Sequence, residues 1–284
     1  MNNKKGYLYI AIIALLLFTA ISCKQQDQLP EDNISSAVIP TDTTRPAATL
    51  TEQTIIFDDA ERTYLLRIPS GVDPTQPSPV VFVFHGMGEK ARDMFKAGFN
   101  SVADEENIIL VYPEIISHST TEFIKSILQD VRSNVNVDPS RTYATGFSLG
   151  GKLTYHNACE LSDSFAAFAA LSGMAVCESG HNSERAVPII HIHGLGDELV
   201  PYDTGRYGMP PVDETIASWV MFNECSTSPL VDEDGKITHT VYSECREGVV
   251  IELYTIDGLG HRVPIKEFQA ARVIWDFFVA HPMP

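Results

Sequence analysis

Uninterrupted apolar runs alternate with stretches of helical spacing from about residue 51 to the end of the chain. Val80–Phe84 (VVFVF) and Ile108–Tyr112 contain no charged position, which predicts strands buried on both faces, as in a parallel sheet. Thr54–Phe57 and Thr63–Ile68 are short runs of branched and aromatic residues, and Pro69 to Pro79 is a loop rich in Pro, Gly, Asp and Ser. Further strands are expected at Arg141–Thr145, Phe165–Leu171, Val187–His193 and Val249–Ile256. Helices are expected at Ala91–Glu106, Thr121–Val135, Leu149–Leu161, Asp213–Asn223 and Glu267–Ala280. In the second of these, Phe123, Ile127, Leu128 and Val131 repeat at the spacing of one helix face. Strands alternating with helices predict an α/β fold with a mostly parallel central sheet, built as one domain over residues 51–284.

The first fifty residues have a different texture. Lys4 and Lys5 precede an apolar run from Tyr7 to Ile21, closed by Ala20-Ile21-Ser22-Cys23. A basic start, an apolar middle and small residues before a cut describe a secretory signal over residues 1–22. The run is short for a membrane-spanning helix, although an uncleaved anchor is the alternative. Cysteine at the cut resembles the lipobox of bacterial lipoproteins, which implies cleavage before Cys23 and lipidation of its thiol. In the same resemblance Lys24 implies the outer membrane, on its periplasmic or cell-surface side. Residues 23–50, rich in Gln, Asp, Ser, Thr and Pro, read as a flexible tether.

Acidic residues outnumber basic ones 37 to 20, a formal charge of −17. No basic face is available to neutralise phosphates, so nucleic-acid binding is excluded, and neutral substrates are favoured over anionic ones. Four cysteines remain beside Cys23, an even number that suits two disulfides in an oxidising compartment. The expected pairs are Cys159–Cys177 and Cys225–Cys245, because each brackets one short segment. The Cys-x-x-Cys spacing of a structural zinc site does not occur, and neither a metal nor a cofactor is expected.

Gly146-Phe147-Ser148-Leu149-Gly150-Gly151 falls between an expected strand and an expected helix. In that context Gly-x-Ser-x-Gly makes a sharp turn that lifts a serine hydroxyl above the sheet, beside a helix N-terminus that favours negative charge. Such a serine needs a base and an acid, which follow it in the order acid, then histidine. Among the later histidines His261 is the candidate, in the Gly-rich loop Asp257-Gly258-Leu259-Gly260-His261 at a strand end. His191 and His193 alternate within a strand and read as core histidines, His156 falls within the helix after the nucleophile and His281 in the tail, and His181 and His239 complete the candidates. Asp197 follows the strand that ends at His193, with Asp257, Glu198 and Asp203 as rivals. The oxyanion needs two preorganised N–H donors. These are expected from Leu149 and from Met87 in His85-Gly86-Met87-Gly88, with Gly88 as alternate.

Four stretches together resemble secreted esterases of the α/β-hydrolase fold, the group that includes poly(3-hydroxybutyrate) depolymerases and the feruloyl and acetylxylan esterases of carbohydrate esterase family one. They are PVVFVFHGMG (Pro79–Gly88), DPSRTYATGFSLGG (Asp138–Gly151), PIIHIHGLGDELVPY (Pro188–Tyr202) and YTIDGLGHRVP (Tyr254–Pro264). The resemblance implies Ser148, Asp197 and His261 as a catalytic triad and a neutral ester substrate, an acylated polysaccharide or a polyester. The chain departs from the group's usual pattern at Leu149, where Asn is usual, and at Arg262, where Trp is common. The alternatives are a serine peptidase of the same fold and a non-catalytic carbohydrate-binding lipoprotein.

Overall fold

The computed structural model describes residues 47–115, 121–177, 180, 182–266 and 268–284. The expected signal segment, the lipidation site Cys23, the tether before Ala47 and His181 lie outside the described residues. The elements run β1 (Thr49–Phe57), β2 (Ala60–Ile68), β3 (Ser78–Phe84), α1 (Phe99–Glu106), β4 (Ile109–Pro113), α2 (Thr121–Asn134), β5 (Val137–Phe147) and α3 (Leu149–Glu160). They continue with β6 (Ala167–Leu171), β7 (Ile189–Gly194), α4 (Val212–Phe222), β8 (Leu230–Asp234), β9 (Ile237–Tyr242), β10 (Ile251–Ile256) and α5 (Ala270–Ala280).

The strands form a single sheet in the order β1-β2-β4-β3-β5-β6-β7-β10-β9-β8. Its middle, from β4 to β10, is parallel, and antiparallel hairpins close both ends. Every residue of β3 is buried, and the period of two divides it between two cores. Val80, Phe82 and Phe84 pack with Phe123, Ile127, Leu153 and Trp219 of the helices α2, α3 and α4 on one face. Val81 and Val83 pack with Val102, Trp275 and Phe278 of α1 and α5 on the other. A strand covered on both sides has no polar face to show, which is why its sequence is a continuous apolar run.

Two departures from the sequence reading have local causes. The helix expected over Ala91–Glu106 is broken: a 3₁₀ segment, Ala91–Ala97, ends at Gly98, whose φ of 92° is left-handed, and α1 starts after it. The β8–β9 hairpin was not foreseen at all. Every position of β8 is exposed and every position of β9 only half-buried, so neither carries an apolar alternation. Asp234 pairs with Ile237 across a two-residue loop, and Gly235 at its first position takes φ 62°, the feature that selects a tight hairpin turn.

Two disulfides tie this frame. Cys159 at the end of α3 bonds to Cys177 beyond β6, and Cys225 beyond α4 bonds to Cys245 beyond β9. The second clamps the root of the β8–β9 hairpin, where the Ser226 N–H also donates to the Ser243 carbonyl at 2.9 Å. Closing a loop of this size removes conformational entropy from the unfolded chain worth about 3 kcal/mol. Replacing Cys225 and Cys245 together by Ser is expected to lower stability by roughly that amount. Urea unfolding with and without the bond checks this; equal midpoints would refute it.

Candidate active site

The C-terminal ends of β3, β5, β7 and β10 meet around Ser148. The order β4-β3-β5 reverses the direction of crossover at β3, and such reversal points leave a crevice at the strand ends. β5 stops at Phe147 and α3 begins at Leu149, so one residue makes the turn. That residue, Ser148, has φ 57° and ψ −117°. Its N–H donates to the Leu171 carbonyl at 2.8 Å, which fastens the turn to β6. The flanking glycines allow the backbones to touch. A Cβ at Gly146 would sit 2.4 Å from the Gly150 carbonyl oxygen, and one at Gly150 would sit 2.3 Å from the Phe84 carbonyl oxygen. Both obstacles are backbone, so no rotamer change relieves them.

His261 reaches Ser148 from the loop after β10. Its Nε2 lies 2.9 Å from Ser148 Oγ, and its Nδ1 lies 2.7 Å from Asp197 Oδ2. A carboxylate only accepts, so Nδ1 carries the proton and Nε2 is left to accept from the serine hydroxyl. The Phe147 ring leans on the imidazole, with centroids 4.7 Å apart. Asp197 is buried, and its other oxygen accepts the N–H groups of Leu199 at 3.0 Å and Val200 at 2.8 Å. Burial by itself would raise this carboxyl, but the His261 hydrogen bond, the Val200 N–H and the neighbouring imidazoles outweigh it and hold it below its ordinary value. The rivals Glu198, Asp203 and Asp257 are exposed. Among the other histidines, His239 pairs with Glu252 at 2.9 Å and His281 bonds the Phe277 carbonyl at 2.7 Å.

His191 and His193 form a buried relay behind the acid loop. His193 Nε2 lies 2.9 Å from the Val200 carbonyl, an acceptor only, so this nitrogen carries a proton. Its Nδ1 must then accept from His191 Nε2 at 3.1 Å, and His191 Nδ1 from the Tyr155 hydroxyl at 2.9 Å. One carbonyl thus sets both tautomers, and both rings are neutral. His193 Nε2 also lies 3.6 Å from Asp197 Oδ2, so the relay ends at the carboxylate that faces His261. Burial pushes both histidines down, and in His191 the neighbouring His193 adds to it.

The expected oxyanion donors, Met87 and Leu149, line the cleft that holds Ser148, about 380 Å³ in volume. Among the described residues neither backbone N–H has a protein acceptor. The loop that carries Met87 is braced by three side chains that sequence reasoning passed over. Glu89 Oε2 accepts the Gly86 N–H at 2.9 Å, His85 Nε2 accepts the Ile115 N–H at 2.9 Å, and His85 Nδ1 therefore donates to the Gly86 carbonyl at 2.8 Å. Glu114 adds a bond from the Ala91 N–H at 3.1 Å. The one signal in the sequence was a histidine ending an otherwise apolar strand. Among the described residues no cluster of His, Cys, Asp and Glu could hold a metal ion.

The phospholipase/carboxylesterase family model matches residues 112–210. Feruloyl esterase C of Emericella nidulans is 27% identical over 239 residues, 77% of this chain and 84% of that protein. A bifunctional acetylxylan esterase/xylanase of Neocallimastix patriciarum is also 27% identical, over 219 residues, 74% of this chain. The match spans only 32% of that longer protein's length. The acetyl xylan esterase structure from Aspergillus awamori superposes with a TM-score of 0.64 at 15% identity, covering 81% of this chain and 99% of that one. The feruloyl esterase module from Clostridium thermocellum, complexed with sinapinate, gives 0.60 at 16% identity, covering 83% and 88%. These likenesses fix the fold as that of the α/β-hydrolases.

The neutral relay makes stability depend on pH in a definable direction. A histidine held below its ordinary value of 6.5 binds a proton more readily in the unfolded chain. Stability is therefore complete above that value and is lost as pH falls below it, by about 1.4 kcal/mol per pH unit for each group in its window. The melting temperature is expected to fall between pH 7.5 and 5, and to fall less steeply in His191→Phe. A pH-independent melting temperature over that range would contradict the neutral relay.

Proposed function

We propose that this α/β-hydrolase, a carboxylic ester hydrolase similar in sequence to feruloyl and acetylxylan esterases, cleaves acyl or feruloyl esters of plant polysaccharides or polyesters through an acyl-enzyme on Ser148. The observation that carries this reading is the imidazole of His261, 2.9 Å from the Ser148 hydroxyl and 2.7 Å from the Asp197 carboxylate. His261 takes the serine proton as Oγ attacks the ester carbonyl, and the buried Asp197 carboxylate stabilises the imidazolium that forms. The Met87 and Leu149 N–H groups receive the developing oxyanion, at the positive end of α3. His261 then returns the proton to the departing alcohol, and water, deprotonated by the same imidazole, releases the acid. Fold alone does not choose among ester substrates. The names of the sequence relatives support acetyl and feruloyl groups on polysaccharide.

The proposal places the enzyme outside the cytoplasm, held to the outer membrane by a lipid on Cys23. Two disulfides are consistent with an oxidising compartment.

Ser148→Ala is expected to lower kcat on p-nitrophenyl acetate by on the order of 10⁶-fold, and Asp197→Asn by about 10⁴-fold. Equal rates in the wild type and Ser148→Ala would overturn the esterase. Acetylated xylan and methyl ferulate, assayed next, separate the acyl classes. In the native cell, metabolic labelling with palmitate is expected to mark the wild type and not Cys23→Ser; an unlabelled wild-type protein would refute the anchor.

A further inference from the structure

Two clefts meet at His261, Phe147 and Glu89. One, of about 380 Å³, contains Ser148 and the backbone donors at Met87 and Leu149. The other, of about 260 Å³, lies beyond His261, with Met94, Val263 and Ile265 in its wall and without Ser148. In ester hydrolysis the acyl half stays on the serine, while the alcohol leaves with the proton of the imidazole. The first cleft, which contains the atom that keeps the acyl group, is the candidate acyl subsite, and the second the candidate alcohol subsite.

The acyl cleft is walled by Met87, Leu199, Val200, Tyr207 and Met209; among the described residues its lining carries one ammonium, that of Lys152, and one carboxylate, that of Glu89, whose Oε2 is engaged by the Gly86 N–H. Lys152 lies four residues after Ser148, in the first turn of α3, and both residues line this cleft. Its Nζ rests against the loop at Gly208, 3.8 Å from where a Cβ on that residue would stand. Three features of this cation need an account. It is half-buried and has no carboxylate partner among the described residues. It sits in the first turn of a helix, where the macrodipole disfavours a positive charge, and that turn holds no acidic residue. And the wall beside it is largely apolar, though Met87, Leu199 and Tyr207 are open to solvent, so an opposite charge there makes a partly screened contact. Lys152 thus lines the cleft beside the nucleophile, with no carboxylate partner among the described residues.

We propose that Lys152 makes the acyl cleft a subsite for acyl groups that end in a carboxylate, the half-esters of short dicarboxylic acids such as succinyl and glutaryl groups. The inference rests on the esterase reading above and adds an anionic acyl class to the acetyl and feruloyl groups that the relatives' names support. The overall charge of −17 disfavours anionic substrates in general, because it repels them from the surface as a whole. Recognition of a single carboxylate depends on the one ammonium beside it. The apolar wall takes the methylene chain, and Nζ takes the distal oxygens. Water and the half-ester give the diacid and the alcohol, with no further reactant.

The test compares two methyl esters that share an alcohol and nearly share a shape. Monomethyl succinate ends in a carboxylate; methyl levulinate has a methyl ketone in its place. Acid release is followed by pH-stat on the full chain, with p-nitrophenyl acetate as the reference substrate. The wild type is expected to prefer monomethyl succinate in kcat/KM by about tenfold, expressed mainly in KM, the scale of one charge-assisted contact. Lys152→Met is expected to bring that ratio to about one, Lys152→Arg to keep it, and 0.5 M salt to reduce it in the wild type. A wild-type ratio near one, or a preference that survives in Lys152→Met, would overturn the inference while leaving the esterase intact. So would failure to cleave monomethyl succinate by an enzyme that cleaves p-nitrophenyl acetate. Loss of ratio in Lys152→Arg as well as Lys152→Met would assign the residue to packing instead. A wild type inert on p-nitrophenyl acetate would remove the esterase reading, and this inference with it.

Discussion

Ser148 is held at φ 57°, in a region that a residue with a side chain occupies at a cost of about 1–3 kcal/mol. The surrounding backbone enforces that conformation. Gly150 lies so close to the Phe84 carbonyl that only hydrogen fits between them, and the Ser148 N–H is tied to β6 through Leu171. The turn therefore couples three neighbouring strands, β3, β5 and β6, at one point. It aims the hydroxyl at His261 and sets the first N–H groups of α3 beside it. The remaining parts of the site are arranged around a position that the central strands fix.

Asp197 shows how the rest is held. Its carboxylate is buried, yet it stays ionised because four neighbours face it: two backbone N–H groups, His261, and at greater distance His193. Removing water makes each of these contacts stronger, and it makes their absence more costly. The relay from Tyr155 through His191 and His193 to the Val200 carbonyl belongs to the same economy of buried polar groups. It satisfies three side chains inside an apolar core and pins the loop on which the acid sits. The cleft repeats the pattern on a smaller scale, with Glu89 and His85 fastening the Met87 loop to its own backbone and to the segment just beyond β4.

The apolar runs announced the parallel strands because a strand covered on both faces has no freedom to be polar, as in Val80–Phe84. The hairpin Leu230–Tyr242 stayed hidden for the opposite reason: its strands are largely solvent-facing, so pairing depends on backbone hydrogen bonds and a turn, neither of which imposes a hydrophobic period. The break at Gly98 was hidden because the helical spacing continues across it, while one left-handed residue redirects the chain.

Chain order and strand-end position sufficed to single out Ser148, Asp197 and His261, since each lies in a short loop directly after an apolar strand and the fold leaves few such loops. Sequence also marked His191 and His193 as interior residues from their alternation in one strand. What it could not supply was any property that depends on residues far apart in the chain. The 2.7 Å contact between His261 and Asp197 spans 64 positions, and the tautomers of the relay depend on where the Val200 carbonyl comes to rest. Nothing in the sequence distinguishes Lys152; folding placed it beside the nucleophile, with no carboxylate partner among the described residues. Local pattern determined the elements and their order, because burial on a strand or helix face leaves a periodic trace in sequence. Pairing, protonation and the charge of the cleft were decided only in three dimensions, because they depend on distances that no short stretch of chain contains.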